Sequence, residues 1–270
     1  MNVTLHVIGS NSKCIFRDAY GNAHALLIRC DPSDTLEKRR DVTRGCEGGS
    51  VAKKYLRVPE LMLGFDTETT GLDVASERAI SYGFCAYHYG KLVWSEQFFV
   101  IPDRPIAAGA QKVHGLSVED LEAKRSSDTV LSVKGGLVRA VDILRRYQQR
   151  GAFIVGANVV RFDLEMLRRS YESVFAKSLA DDSLDLSLLQ IIDVVEHDLV
   201  IEPSREHRPR RGLSTLCSHY HVDLGGHDAL SDARASVEVF MEQVIRNNAG
   251  QMPLDLVAGE PVIVSTRERL

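Results

Sequence analysis

Two carboxylates placed two residues apart at the end of an apolar run constrain this chain more than any other feature. Leu61-Met62-Leu63-Gly64-Phe65 reads as a strand that runs into Asp66 and Glu68, and the two-residue period of a strand puts both acids on one face. Acids held this close repel one another and resist burial unless protons or cations compensate them. Two later segments carry matching groups: Asn158-Val159-Val160-Arg161-Phe162-Asp163 and His227-Asp228-Ala229-Leu230-Ser231-Asp232. Asp66, Glu68, Asp163, Asp232 and His227 together describe a site for hard divalent cations, Mg²⁺ or Mn²⁺, and for phosphoester hydrolysis. Such chemistry uses two cations about 3.5–4 Å apart, one to help form hydroxide and one to stabilise the leaving oxygen.

The pattern around these segments is α/β. Arg78 to Tyr89 and Leu92 to Val100, separated by Tyr89-Gly90-Lys91, are rich in aromatic and β-branched residues and continue the first strand as a meander. Residues 132 to 149 switch to helical spacing, with Val133, Leu137, Val141, Leu144 and Tyr147 on one stripe. A short buried strand is expected at 153 to 157, a helix from Asp163 to Val174, a strand or loop around Ser183 to Leu189, and a last helix from Ala229 to Asn247. Asp163 then lies beyond a strand and at a helix start, where ligands collect in open sheets. Asp232 falls in the opening turns of the last helix, and His227 in the loop before it. Interleaved strands and helices of this kind argue for a layered domain with a mixed sheet.

These motifs resemble the DEDDh, or DnaQ-like, exonucleases, the family that includes the proofreading epsilon subunit of bacterial replicative DNA polymerase. The resemblance spans residues 61 to about 246 and rests on Phe65 to Asp73, Gly156 to Asp163 and His227 to Ala233. It implies a ribonuclease H-like mixed β-sheet flanked by helices, and removal of mononucleotides from a 3′ end. It implies that Asp66, Glu68, Asp163 and Asp232 hold two divalent ions, with Asp66 bridging both, and that His227 is the general base. Histidine suits that task because its ordinary pKa lies near 6.5. The motif positions of Thr69 and Leu72, and His114 within Val113-His114-Gly115-Leu116-Ser117, fall to the terminal nucleotide. Asn158 and Phe162 are further substrate-side candidates, and Asp185 is a candidate supporting acid behind the site.

The remaining chain divides into an N-terminal β-rich appendage, residues 1–57, the exonuclease-like domain, 58–248, and a tail, 249–270. In the appendage, Leu5 to Val7 and Ala23 to Ile28 are strand candidates around Asp18 to Asn22. Arg205, Arg208, Arg210 and Arg211 cluster in a Pro-containing stretch and are candidates for phosphate contact. Gln251-Met252-Pro253-Leu254-Asp255-Leu256 resembles the Gln-led, leucine-rich peptides that bind a sliding clamp. Asp66, Glu68, Thr70, Gly71 and Glu77 also occupy positions 1, 3, 5, 6 and 12 of a calcium loop. The strand-like entry contradicts an EF-hand, which needs a helix there.

With 270 residues and a net charge of −4, the chain has no global basic signal for wrapping long nucleic acid. A short strand held by cations and a few arginines remains compatible with that balance. Five cysteines at 14, 30, 46, 85 and 217 form no CxxC pair, so neither a disulfide scaffold nor structural zinc is expected. No apolar run is long enough to span a membrane, and a reducing, cytoplasmic location follows. The expectation is a metal-dependent 3′–5′ exonuclease acting on DNA, in replication or repair. An exoribonuclease or oligoribonuclease is the enzymatic alternative, and a weakly catalytic nucleic-acid-binding scaffold the other.

Overall fold

The computed structural model describes the strands at 3–8, 11–17 and 23–29, and residues 57–202 and 212–248. The chain forms two compact units, Met1–Leu56 and Arg57–Leu270. In the first, β1 (Val3–Ile8), β2 (Asn11–Arg17) and β3 (Ala23–Arg29) form an antiparallel sheet in the order β1-β2-β3. The central strand β2 was not expected from the sequence. Residues 18–22, read as a turn, lie outside the described residues.

The second unit is built on six strands in the order β7-β6-β5-β4-β8-β9. β4 (Leu61–Thr69), β5 (Ala79–His88) and β6 (Lys91–Ile101) form the expected antiparallel meander. β7 (Val130–Ser132) joins β6 in parallel, β8 (Phe153–Gly156) joins β4 in parallel, and β9 (Gln190–Asp193) joins β8 in parallel. The ninth strand begins just past the stretch at 183–189, which contains the short 3-10 turn Leu186–Leu188 and follows another at Ala180–Asp182.

Alternation along β4 sorts the two faces of the sheet. Leu63 and Phe65 face a core lined by Tyr82, Phe84 and Phe98, where Phe65 stacks on Phe84 at 4.8 Å between ring centroids. Helices α3 (Val133–Gln149) and α4 (Asp163–Phe175) close this face with Leu137, Ala140, Leu144, Leu164 and Leu167. Each such large apolar side chain removed from water contributes about 1.5–3 kcal/mol before entropy is counted. Gly64, Asp66 and Glu68 point the other way, toward α7 (Ala229–Asn248), whose buried stripe includes Ala229, Ala233, Val237, Phe240 and Val244. The helices α5 (Val194–Ile201) and α6 (Leu213–Tyr220) pack beside α7.

Two short helices, α1 (Ala108–His114) and α2 (Val118–Ala123), follow β6. Helix α1 buries no residue, so it has no apolar stripe to betray it in the sequence. Ser117 starts α2 through a capping box with Asp120. Among the described residues no helix is long and apolar enough to cross a membrane.

Candidate active site

Asp66, Glu68 and Asp163 lie toward one end of the sheet because β4 and β8 run parallel. Asp66 and Glu68 occupy the last half of β4. Asp163 opens α4 beyond the end of β8, and Asp232 sits in the first turn of α7. One carboxylate oxygen each from Asp66, Glu68 and Asp232 lie within 4.8 Å of one another. Asp163 stands outside that trio. It is buried, and its Oδ1 accepts a 2.6 Å hydrogen bond from the Thr67 hydroxyl. Its charge still reaches the trio, pushing up the carboxyls of both Asp66 and Glu68.

Burial and mutual repulsion raise the whole set. Burial first, then Asp163, Asp232 and Glu68, hold Asp66 well above the usual carboxylate range. Burial, followed by Asp232 and Asp163, pushes Glu68 up to about 8. Asp163 rises to about 7 by burial, with the Thr67 hydroxyl pulling the other way. Asp232 rises to about 6, again chiefly by burial, and the His227 charge holds it down. Asp232 Oδ1 is buried and has no hydrogen-bond partner among the described residues. Hard acceptors that repel one another, one of them unsatisfied, fit divalent cations bound by Asp66, Glu68, Asp163 and Asp232.

What brings Asp232 to the strand is the absence of side chains beneath α7. Gly83 lies opposite Asp66 in the β4–β5 register. A Cβ on Gly83 would stand 2.1 Å from the carbonyl carbon and oxygen of Ala229, and one on Gly64 would stand 2.6 Å from the Ala233 carbonyl oxygen. The helix backbone therefore rests directly on the sheet. Asp228 starts the helix, accepting from the Leu230 and Ser231 amides at 3.1 Å each. His227 precedes it in an exposed left-handed turn, φ 52°.

Residues 63–240 match the RNase_T exonuclease family model, two thirds of the chain. The chain belongs to this exonuclease family. Its folded domain is that of a 3′–5′ exonuclease, of the DEDDh type that its three motifs resemble. Similar sequences include the DNA polymerase III epsilon subunit of Rickettsia conorii, 28% identical over 182 residues that cover 66% of this chain and 70% of that one. The PolC-type DNA polymerase III of Bacillus subtilis is 23% identical over 188 residues, 68% of this chain and 11% of that one. Among solved structures, E. coli exonuclease I in complex with a dT13 oligonucleotide has the same fold. It aligns with a TM-score of 0.56 at 19% identity, over 71% of this chain and 42% of that one. The chain thus spans less than half of exonuclease I and about a tenth of PolC.

The substrate-side candidates lie on the end of β4, the loop after it, the helix that follows β6, and the segment between β8 and α4. Thr69 ends β4 and is buried, its hydroxyl donating to the Gly71 carbonyl at 2.7 Å. Leu72 is 86% exposed at the tip of the loop that follows. That loop is tied at its base, where the Thr70 hydroxyl donates to the Glu77 carboxylate and the Ala107 amide donates to the Thr70 carbonyl. His114 Nδ1 accepts from the Leu116 amide at 3.0 Å, so its Nε2 carries the proton donated to the Thr69 carbonyl at 3.2 Å. Burial lowers the pKa of His114 and favours this neutral form. Asn158 adopts φ 58°, a left-handed conformation that asparagine tolerates. Phe162 is half-buried against the core at the start of α4.

Asp185 is occupied elsewhere: it caps a 3-10 turn, accepting from the Ser187 amide and hydroxyl. The acid that faces the Asn158–Asp163 segment is Asp193, which the sequence reading missed. It ends β9, and its Oδ1 accepts from the Asn158 and Val195 amides at 3.1 Å each. Its charge pushes Asp163 upward. A signal was present in the apolar run Ile191-Ile192 ending at an acid, the same form as β4 ending at Asp66. Asp228, also unassigned from sequence, raises Asp66, Glu68 and Asp232. Arg205, Arg208, Arg210, Arg211 and the Gln251–Leu256 segment lie outside the described residues.

Proposed function

We propose that this chain hydrolyses the 3′-terminal phosphodiester of DNA and releases nucleoside 5′-monophosphates. The observation that carries the reading is the convergence of Asp66, Glu68 and Asp232 within 4.8 Å, with Asp163 and His227 beside them. Asp66, Glu68, Asp163 and Asp232 would hold two divalent cations, Mg²⁺ or Mn²⁺. When bound, such a pair lowers the pKa of water and stabilises the leaving oxygen. The chain's own residues do the rest. The exposed His227 imidazole takes the proton from water as its oxygen bonds to phosphorus and the bond to the preceding 3′ oxygen breaks. Leu72 and His114 bracket the segment that meets the terminal nucleoside. Thr67 keeps Asp163 in place, and Asp193 fixes the loop that leads to it.

DNA is supported by the relatives, which are named as DNA polymerase subunits, and by the oligonucleotide that E. coli exonuclease I holds. A role in proofreading or repair follows the same relatives. The Gln251–Leu256 segment is proposed as a clamp-binding peptide, to be tested by deleting it and measuring clamp affinity. The deciding experiment for the activity offers matched DNA and RNA oligonucleotides, labelled at the 5′ end, with Mg²⁺, Mn²⁺ or chelator. Stepwise shortening of DNA that stops when the 3′ end is blocked supports the proposal. Faster shortening of RNA would move the substrate to ribonucleotides. End binding without any shortening would make the chain a scaffold, and cleavage of closed circles would make it an endonuclease.

A further inference from the structure

The face of the sheet opposite the carboxylates carries a concavity, of about 610 Å³, between β6 and the C-terminal half of α3. It lies toward the strand ends remote from Glu68, because Trp94 pairs through Ala86 with Leu63 while Glu68 lies at the far end of β4. Its floor is the ring pair Trp94 and Tyr147, tilted at 5.8 Å between centroids. Arg139, Arg146 and Arg150 line it against a single lining acid, Glu96. Val93 on its wall is 59% exposed, and Val138 on the neighbouring turn of α3 is 54% exposed.

The arginines are arranged rather than merely solvated. Glu96 fixes the Arg139 guanidinium through two 2.8 Å hydrogen bonds. Asp142 pairs with Arg146 at 2.8 Å. The Arg150 guanidinium lies over the Tyr147 ring, 5.4 Å from its centroid, and among the described residues no carboxylate pairs with it. A chain of net charge −4 thus presents a locally cationic hollow floored by Trp and Tyr. Arginine, tryptophan and tyrosine are the side chains that dominate binding hot spots, and the volume suits one or two buried side chains.

We propose that this groove docks an acidic peptide segment of a partner protein, an apolar side chain entering against Trp94 and Tyr147 and flanking carboxylates meeting Arg150 and Arg146. Its placement favours a protein partner over the substrate strand. On the proposed function the 3′ end of the strand lies at Asp66, whose side chain is on the other face of the sheet, so groove and active site can be filled together. Charge complementarity selects an acidic segment, and the exposed valines extend the apolar contact beside it.

Trp94 is the only tryptophan in the chain, so its emission reports on this groove alone. The full chain is titrated with the hexapeptide Glu-Asp-Leu-Phe-Asp-Glu while tryptophan emission is read. The expected result is a saturable change that Arg150→Glu weakens roughly tenfold and that fades at high salt. A peptide with both apolar residues replaced by alanine should bind weakly, and one with lysine in place of every acid should not bind. Exonuclease turnover of Arg150→Glu should equal wild type, which keeps this test separate from that of the active site. No emission change up to millimolar peptide, or equal binding by Arg150→Glu, would overturn the proposal. Displacement of the peptide by an equal concentration of a thymidine hexanucleotide would also overturn it, by making the groove a nucleic-acid site.

Discussion

Gly83→Ala should disable the exonuclease site without touching any of its acids. The added Cβ would stand 2.1 Å from the Ala229 carbonyl, where ordinary contact begins near 3.4 Å. Helix α7 must therefore rise from β5 by about 1.3 Å, the difference between those distances, because the obstacle is backbone and has no rotamer to yield. Overpacking of this kind costs about 1–3 kcal/mol, or a fall of roughly 2–12 °C in Tm for a domain of this size. Asp232 travels with the helix, away from Asp66 and Glu68. A displacement near 1 Å at a catalytic group can cost about a hundredfold in rate. The assay pairs Mn²⁺ titration calorimetry with single-turnover shortening of a DNA oligonucleotide below the melting transition. Gly109→Ala is the control, since its Cβ meets nothing within 4 Å and alanine favours a helix by about 1 kcal/mol. If Gly83→Ala keeps wild-type Tm, Mn²⁺ affinity and rate, the close approach of α7 does not hold Asp232 in register.

Three further outcomes are expected. In chelator, the native state keeps protons on Glu68, raised from 4.5 to about 8, that the unfolded chain has already released. This site's contribution to stability should therefore fall as pH rises from about 5 to 8 and return with Mn²⁺; the Tm difference between wild type and Asp66→Asn/Glu68→Gln isolates it, and a difference independent of pH would contradict the assigned shifts. His227→Ala should lose about 10²–10⁴ in single-turnover rate while Mn²⁺ affinity, read by calorimetry, stays near wild type; an unchanged rate and pH profile would move the proton acceptor elsewhere. Asp193→Ala leaves the Asn158 and Val195 amides without their acceptor, at a cost of about 1–3 kcal/mol, and should slow turnover. Asp193→Asn keeps an acceptor oxygen and should recover most of the melting temperature, which equal losses in both variants would refute.

The candidate site's acids were readable in their positions because each sits where a simple periodicity puts it. Asp66 and Glu68 share a strand face, Asp163 follows a strand and opens a helix, and Asp232 lies one turn into a patterned helix. Asp193 was harder, because its importance depends on β9 pairing with β8, and the sequence places a strand or loop candidate a few residues early. A 3-10 turn capped by Asp185 occupies that earlier stretch, and strand patterning does not register it. Helix α1 was invisible for lack of a buried residue. The role of Gly83 belongs to a helix some 150 residues away, and no local rule ties a glycine in a strand to it. The appendage's central strand β2 was missed for a different reason: Asn11-Ser12-Lys13 opens it with residues of low strand propensity.

The seating of α7 on bare strand backbone also sets when the site can exist during synthesis. Asp66 and Asp232 are separated by 166 positions, so at a ribosomal pace of about 5–20 residues per second the last acid is made roughly ten to thirty seconds after the first. Through that interval β4, β5 and β6 can pair, yet the fourth acid and the histidine have not been translated. A nascent chain beside messenger RNA therefore carries the candidate site incomplete. The proposed activity waits on the last described helix, α7, reaching the glycines that leave room for it.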